Sequence, residues 1–188
     1  MIENVKHLYE AYGGIRAFSR SSYVWIAVIL SLLSISTADS AGWVNITLSA
    51  MPSLTGFTVA AFALIFVVLD REMLKLLISP SKSGVSPILE VASKICHGVI
   101  VQVLAIIMSA LYQSVSFSYI FKNVSIFECD VIYSAIIIAG EWGRFAISFV
   151  GMFLTYYGFL MVVAVILSVF RLLKIVAKAP PAKAPPSC

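Results

Sequence analysis

Glu90, Lys94 and His97 stand at i, i+4 and i+7, so a helix through them would carry a carboxylate, an ammonium and an imidazole on one face. Such a face offers sensitivity to pH, because an unperturbed His changes charge near neutrality. Gln102 follows deeper in the same apolar segment, where a side-chain amide turns to other helices or to water rather than to acyl chains. If the face lines a pore or vestibule, Lys94 and His97 sit near its cytoplasmic mouth. The plainer reading pairs Glu90 with Lys94 at the membrane surface and makes His97 a hydrogen-bonded structural residue. A second set of chemical groups is acidic: Glu128, Asp130 and Glu141, which an outward-facing intramembrane enzyme would use as acid and base, although no motif fixes their mutual geometry. Glu141 and Arg144, at i and i+3, read as a local ion pair.

Other chemistry finds little footing. The chain has two histidines, His7 and His97, and no phosphate-binding glycine loop, zinc motif or nucleophile elbow. Cys96, Cys129 and Cys188 show no metal-ligand spacing and fall in separate segments, which makes an intrachain disulfide unexpected. No catalytic, cofactor-binding or metal-binding residue is assigned, and the chain is not expected to be an enzyme. Asn45-Ile-Thr47 and Asn123-Val-Ser125 are formal glycosylation sequons.

The elements that must position these groups are long and uncharged. Four runs, Ser21 to Ala38, Ser40 to Leu69, Ile95 to Phe121 and Phe145 to Phe170, reach or exceed membrane-crossing length, for which a helix needs roughly 20 residues. Backbone in lipid must satisfy its own hydrogen bonds, so these runs read as helices. In the 188-residue chain 61% of residues are hydrophobic and 12% charged, with a mean hydropathy of +1.00, which leaves no stretch for a separate soluble domain. The expectation is an all-α polytopic membrane protein forming one domain, with four transmembrane helices at about 21–38, 52–69, 95–119 and 145–170 and a short external interfacial helix over Val131 to Gly140. Pro52 lacks a backbone donor, so the second span is expected to start there, leaving Trp43 and Asn45 in an external connection. The helix after it is expected to run past the membrane surface until Pro80.

Of the 13 basic residues all but Lys122 and Arg144 fall on one side of this arrangement, which puts both termini in the cytoplasm. Residues 1–20 form a cytoplasmic N-terminal segment, read either as an interfacial helix or as a solvated tail. Residues 175–188 form a flexible tail that repeats Lys-Ala-Pro-Pro. The net charge of +4 is mainly this topology signal, with attraction to anionic lipid headgroups second; direct nucleic-acid binding is not expected.

Two stripes of small residues point to close helix contact: Gly56 and Ala60, extended by Ala63, in the second span, and Ser148, Gly151, Thr155 and Gly158 in the fourth. Each is a candidate face for homo-oligomerisation or for packing within one chain. With four spans, cytoplasmic termini, the segment Pro52 to Leu69 and the small face of the fourth helix, the chain resembles the small membrane components of bacterial antiphage systems, the Kiwa system among them. That resemblance implies an oligomer in the bacterial inner membrane that senses infection-related membrane disturbance and works with a cytoplasmic effector protein. A channel that depolarises the cell, with Gln102 and His97 facing its path, is the second reading, and an intramembrane enzyme the third.

Overall fold

The computed structural model describes residues 20–37, 42–68, 77–78, 86–114 and 130–177, and these are all-helical. Four helices follow in order: α1 (Ser22–Leu33), α2 (Gly42–Val68), α3 (Pro87–Ser114) and α4 (Asp130–Ala177), with a 3-10 turn at Ile35–Thr37 after α1. Within them Gly42–Ile65, Pro87–Ser114 and Gly140–Ile175 are long and apolar enough to cross a membrane, the signature of an integral membrane protein.

The helix starts and stops differ from the sequence expectation in three places, each for a physical reason. α1 has 12 residues, too few by itself to cross the hydrocarbon core, because the run to Ala38 tightens into the 3-10 turn. Pro52 lies inside α2 rather than at its start. A proline removes one backbone donor, but ending the helix in lipid would expose several more groups, so the helix continues and Trp43 and Asn45 belong to its first turns. The separate external helix over Val131 to Gly140 is instead the first part of α4, a single helix of 48 residues and about 72 Å. No proline falls in Asp130–Ala177, and glycine costs a helix only about 1 kcal/mol without ending it. α3 begins where capping chemistry dictates: Ser86 Oγ accepts from the Leu89 amide at 3.3 Å, Pro87 occupies the first helical position, and Glu90 lies in the first turn. The expected third span from 95 thus begins earlier, and its last residues, 115–119, lie outside the described residues. So do the expected N-terminal segment up to residue 19, the projection from Leu69 apart from residues 77–78, Glu128, Cys129, the sequon at Asn123, and the tail from residue 178.

α3 and α4 share the most extensive interface, and they run antiparallel. Gly98 faces Met161 and Val165, Gln102 reaches Gly158, and Tyr112 meets Arg144. α2 runs parallel to α4, with Gly151 against Trp43, Thr155 against Thr47 and Gly158 against Met51. α1 lies on α4 through Val24 and Ala27, which join Val101, Tyr157, Met161 and Ala164 in one cluster, and Ser34 and Tyr156 share a hydrogen bond of 2.7 Å. A second cluster of Leu77, Val91, Ile95, Val165 and Leu172 closes one end of the bundle, and Trp43, Val44 and Met152 form a third toward the other. The opposite faces expose large apolar side chains such as Phe57, Leu64, Val67, Leu104 and Ile166, as a lipid-facing surface requires.

Candidate functional site

The helical face of Glu90, Lys94 and His97 divides between two environments. Lys94 Nζ donates to Glu90 Oε1 at 2.7 Å in a half-exposed ion pair one turn apart. His97, one turn further on, is buried and its Nε2 lies 3.0 Å from Tyr157 Oη, with the two rings edge to face at 5.8 Å between centroids. Phe153 stacks parallel to Tyr157 at 5.8 Å, so the phenol partnering His97 is itself clamped by packing. The charges thus stay at the rim, while the imidazole is committed to α4.

Gln102 is 1% exposed between α2, α3 and α4. Its Nε2 donates to the Gly158 carbonyl at 3.4 Å, whereas Oε1 has no hydrogen-bond partner. The absence of a side chain at Gly158 permits this approach: a Cβ there would come within 3.1 Å of Met51 Cε and 3.4 Å of Gln102 Cγ. One turn away, Thr47 and Thr155 meet at 2.8 Å, and each hydroxyl also lies 2.8 Å from a carbonyl of its own helix, Trp43 O and Gly151 O. Two hydroxyl protons serve these three contacts, so at any moment one threonine donates across the interface while the other donates back to its own helix. Thr47 of the Asn45 sequon is thus fully buried in a helix of membrane-crossing length, while Asn45 itself is exposed.

The small face of α4 is covered from within the chain. Ser148, Gly151, Thr155 and Gly158 are all buried, and a Cβ on Gly151 would overlap Trp43 Cη2 and lie 2.7 Å from Cζ3. Of the two readings of this face, assembly or packing within the chain, the contacts of Gly151, Thr155 and Gly158 fit the second: Trp43 and Met51 of α2 enter the room that the glycines leave, and Thr155 meets Thr47. Gly56 and Ala60 behave oppositely: both are exposed, as is Ala63, and among the described residues nothing lies within 4 Å of a Cβ on Gly56.

At the other end of the bundle, Arg144 reaches across to α3. Its Nε donates to Tyr112 Oη at 3.1 Å and its guanidinium lies 5.4 Å from the Tyr112 ring centre. This places a cation over an aromatic ring of α3, which Trp43 of α2 supports at 5.4 Å. Among the described residues no three His, Cys, Asp or Glu side chains gather as a metal site. Tyr157, Met51, Trp43, Thr47 and Tyr112, which complete the polar interior, carry no motif; their only sequence signal is a polar or large side chain inside an apolar run. No family model, no curated protein and no solved structure matches the chain.

Proposed function

We propose that the protein is an oligomeric sensor or scaffold of the bacterial inner membrane that couples a membrane disturbance to a cytoplasmic effector, as its resemblance to antiphage membrane components implies. The observation that carries this reading is the stripe of Gly56, Ala60 and Ala63 on α2, which is exposed among the described residues and gives a second copy a close approach that no other described helix uses. In this reading α1 and the turn at Ile35–Thr37 supply a fourth crossing beside α4, and both termini are cytoplasmic, in keeping with the distribution of Lys and Arg. Light scattering on detergent-extracted protein tests it. A multimer that falls apart in Gly56→Leu is expected, and a native monomer overturns the proposal.

Gln102 favours one further reading, a conduction path through the bundle. An amide buried in a membrane bundle with an unsatisfied oxygen is the kind of group that marks ion or water pathways. In the arrangement seen, Met51 and Gly158 pack beside that amide. Ion flux in reconstituted vesicles under tension, lost in Gln102→Leu, is the expected result; its absence in the wild type rejects a channel and leaves the scaffold standing.

A further inference from the structure

Three buried polar atoms gather in the seam between α2, α3 and α4: Trp43 Nε1, Gln102 Oε1 and Ser109 Oγ, none with a hydrogen-bond partner among the described residues. Each belongs to a residue more than nine-tenths buried. Gln102 and Ser109 stand seven positions apart, two turns along one face of α3, with the fully buried Ala105 between them. Because α4 runs antiparallel to α3, the same two turns carry α4 from Gly158, beside Gln102, back to Gly151, where Trp43 packs. Ser109 and Trp43 therefore lie at about one level, and Tyr112, one turn beyond Ser109, stands 5.4 Å from the Trp43 ring. The pair of Thr47 and Thr155 sits between the two levels. One seam about 10 Å long thus holds an indole, an amide and three hydroxyls contributed by three helices.

We propose that this seam is a binding site for water, with one molecule at the Trp43 and Ser109 end and another at Gln102. A buried polar atom left without a partner costs about 1–3 kcal/mol, and inside a bilayer no bulk solvent is at hand to relieve it. The chemistry of the three atoms is complementary: the indole N–H only donates, the amide oxygen only accepts, and the serine hydroxyl does both. Water accepts from the first, donates to the second and does either with the third. Its partners lie about 2.8 Å away on each side, so one molecule bridges about 5.6 Å and the two ends of the seam need separate ones. Each then has at least two polar partners, as a fixed internal water requires: Trp43 with Ser109 at one end, and Gln102 with the threonine pair one turn away at the other. Hydrogen bonds run in one sense along the seam, from the indole donor to the amide acceptor. The site does not depend on conduction, since waters held by these groups stay in a bundle that passes no ions, and it stands for a monomer or an oligomer.

Stability is a poor gauge of these waters, because the freedom that a released molecule regains offsets the hydrogen bonds it gives up. Solid-state NMR of the full-length protein in bilayers, isotope-labelled at tryptophan and glutamine, reads the contact directly as transfer of magnetisation from water to each side-chain N–H. In the wild type the Trp43 indole and the Gln102 amide are both expected to receive it in spite of their burial. Ser109→Ala is expected to lose the transfer to Trp43 and to keep that to Gln102, with thermal unfolding close to the wild type showing that the variant is folded. Gly56→Leu, which separates copies in the oligomer reading, is expected to keep both. Absence of transfer to Trp43 in the wild type overturns the proposal. So does an unchanged transfer in Ser109→Ala, which would mean that water reaches the indole by opening of the bundle rather than from a site in the seam. Ion flux does not enter the readout, so a bundle silent in vesicles leaves the assignment intact.

Discussion

The two small-residue stripes of this chain share a composition and have opposite surroundings. On α4, Gly151 and Gly158 are buried because Trp43 and Met51 from α2 enter the space a side chain would take. On α2, Gly56 and Ala60 look away from every other described helix. A small-xxx-small pattern therefore states how closely a helix can be approached, and the approach is decided by whether a large side chain on a neighbouring helix is positioned to use it.

The largest expected effect breaks the α4 stripe. Gly151→Leu forces a branched side chain into the Trp43 indole and is expected to destabilise the bundle by about 3 kcal/mol, read as lowered thermal stability in detergent, since overpacking a core typically costs 1–3 kcal/mol and this site has no free volume. A milder change sharpens the point. Gly151→Ala is expected to cost about 2 kcal/mol in the wild-type background and much less when Trp43 is already alanine, a coupling measurable by a double-mutant cycle. Equal costs in the two backgrounds would show that Trp43 is not what makes Gly151 necessary.

Next in size is the threonine pair. Because two protons serve three contacts, Thr155→Val removes one donor yet leaves Thr47 free to donate to its own carbonyl, and the cost should stay near 0.6 kcal/mol, the average for such hydrogen bonds in membrane bundles. The double change to valine should cost less than twice the single one. Gln102→Leu is expected to leave stability unchanged or to raise it by up to about 1 kcal/mol, because it removes a buried oxygen with no partner while keeping most of the volume. A large loss instead would mean that the amide oxygen has a partner inside the working assembly.

The smallest expected effect on stability belongs to the α2 stripe. Gly56→Leu adds a side chain where no described residue lies within 4 Å, so the chain's own stability should move by less than about 0.5 kcal/mol. Its effect is expected in mass alone, as a shift from multimer to monomer. A variant that unfolds like Gly151→Leu would erase the contrast between the two faces.

The long apolar segments were legible from composition because lipid leaves helix as the only open-ended solution, and α3 and α4 follow that rule. Helix ends were less legible. Pro52 reads as a start in water-soluble terms, yet the bilayer keeps α2 whole from Gly42, and the apolar stretch before Glu141 carries nothing that would separate it from the helix beyond. The spacing of Glu90 and Lys94 suffices to bring them together because the contact is local, within one turn. His97 and Tyr157 are 60 positions apart, so no local pattern announces their contact.

By itself the sequence determined that this chain is helical and built for a bilayer, and where its charges concentrate, since these depend on transfer free energies summed along each segment. Only the tertiary structure decided which face of each helix turns inward. That choice rests on the fit of particular side chains, Trp43 into Gly151 and Met51 against Gly158, and in lipid, where both faces are apolar, hydropathy holds no record of it.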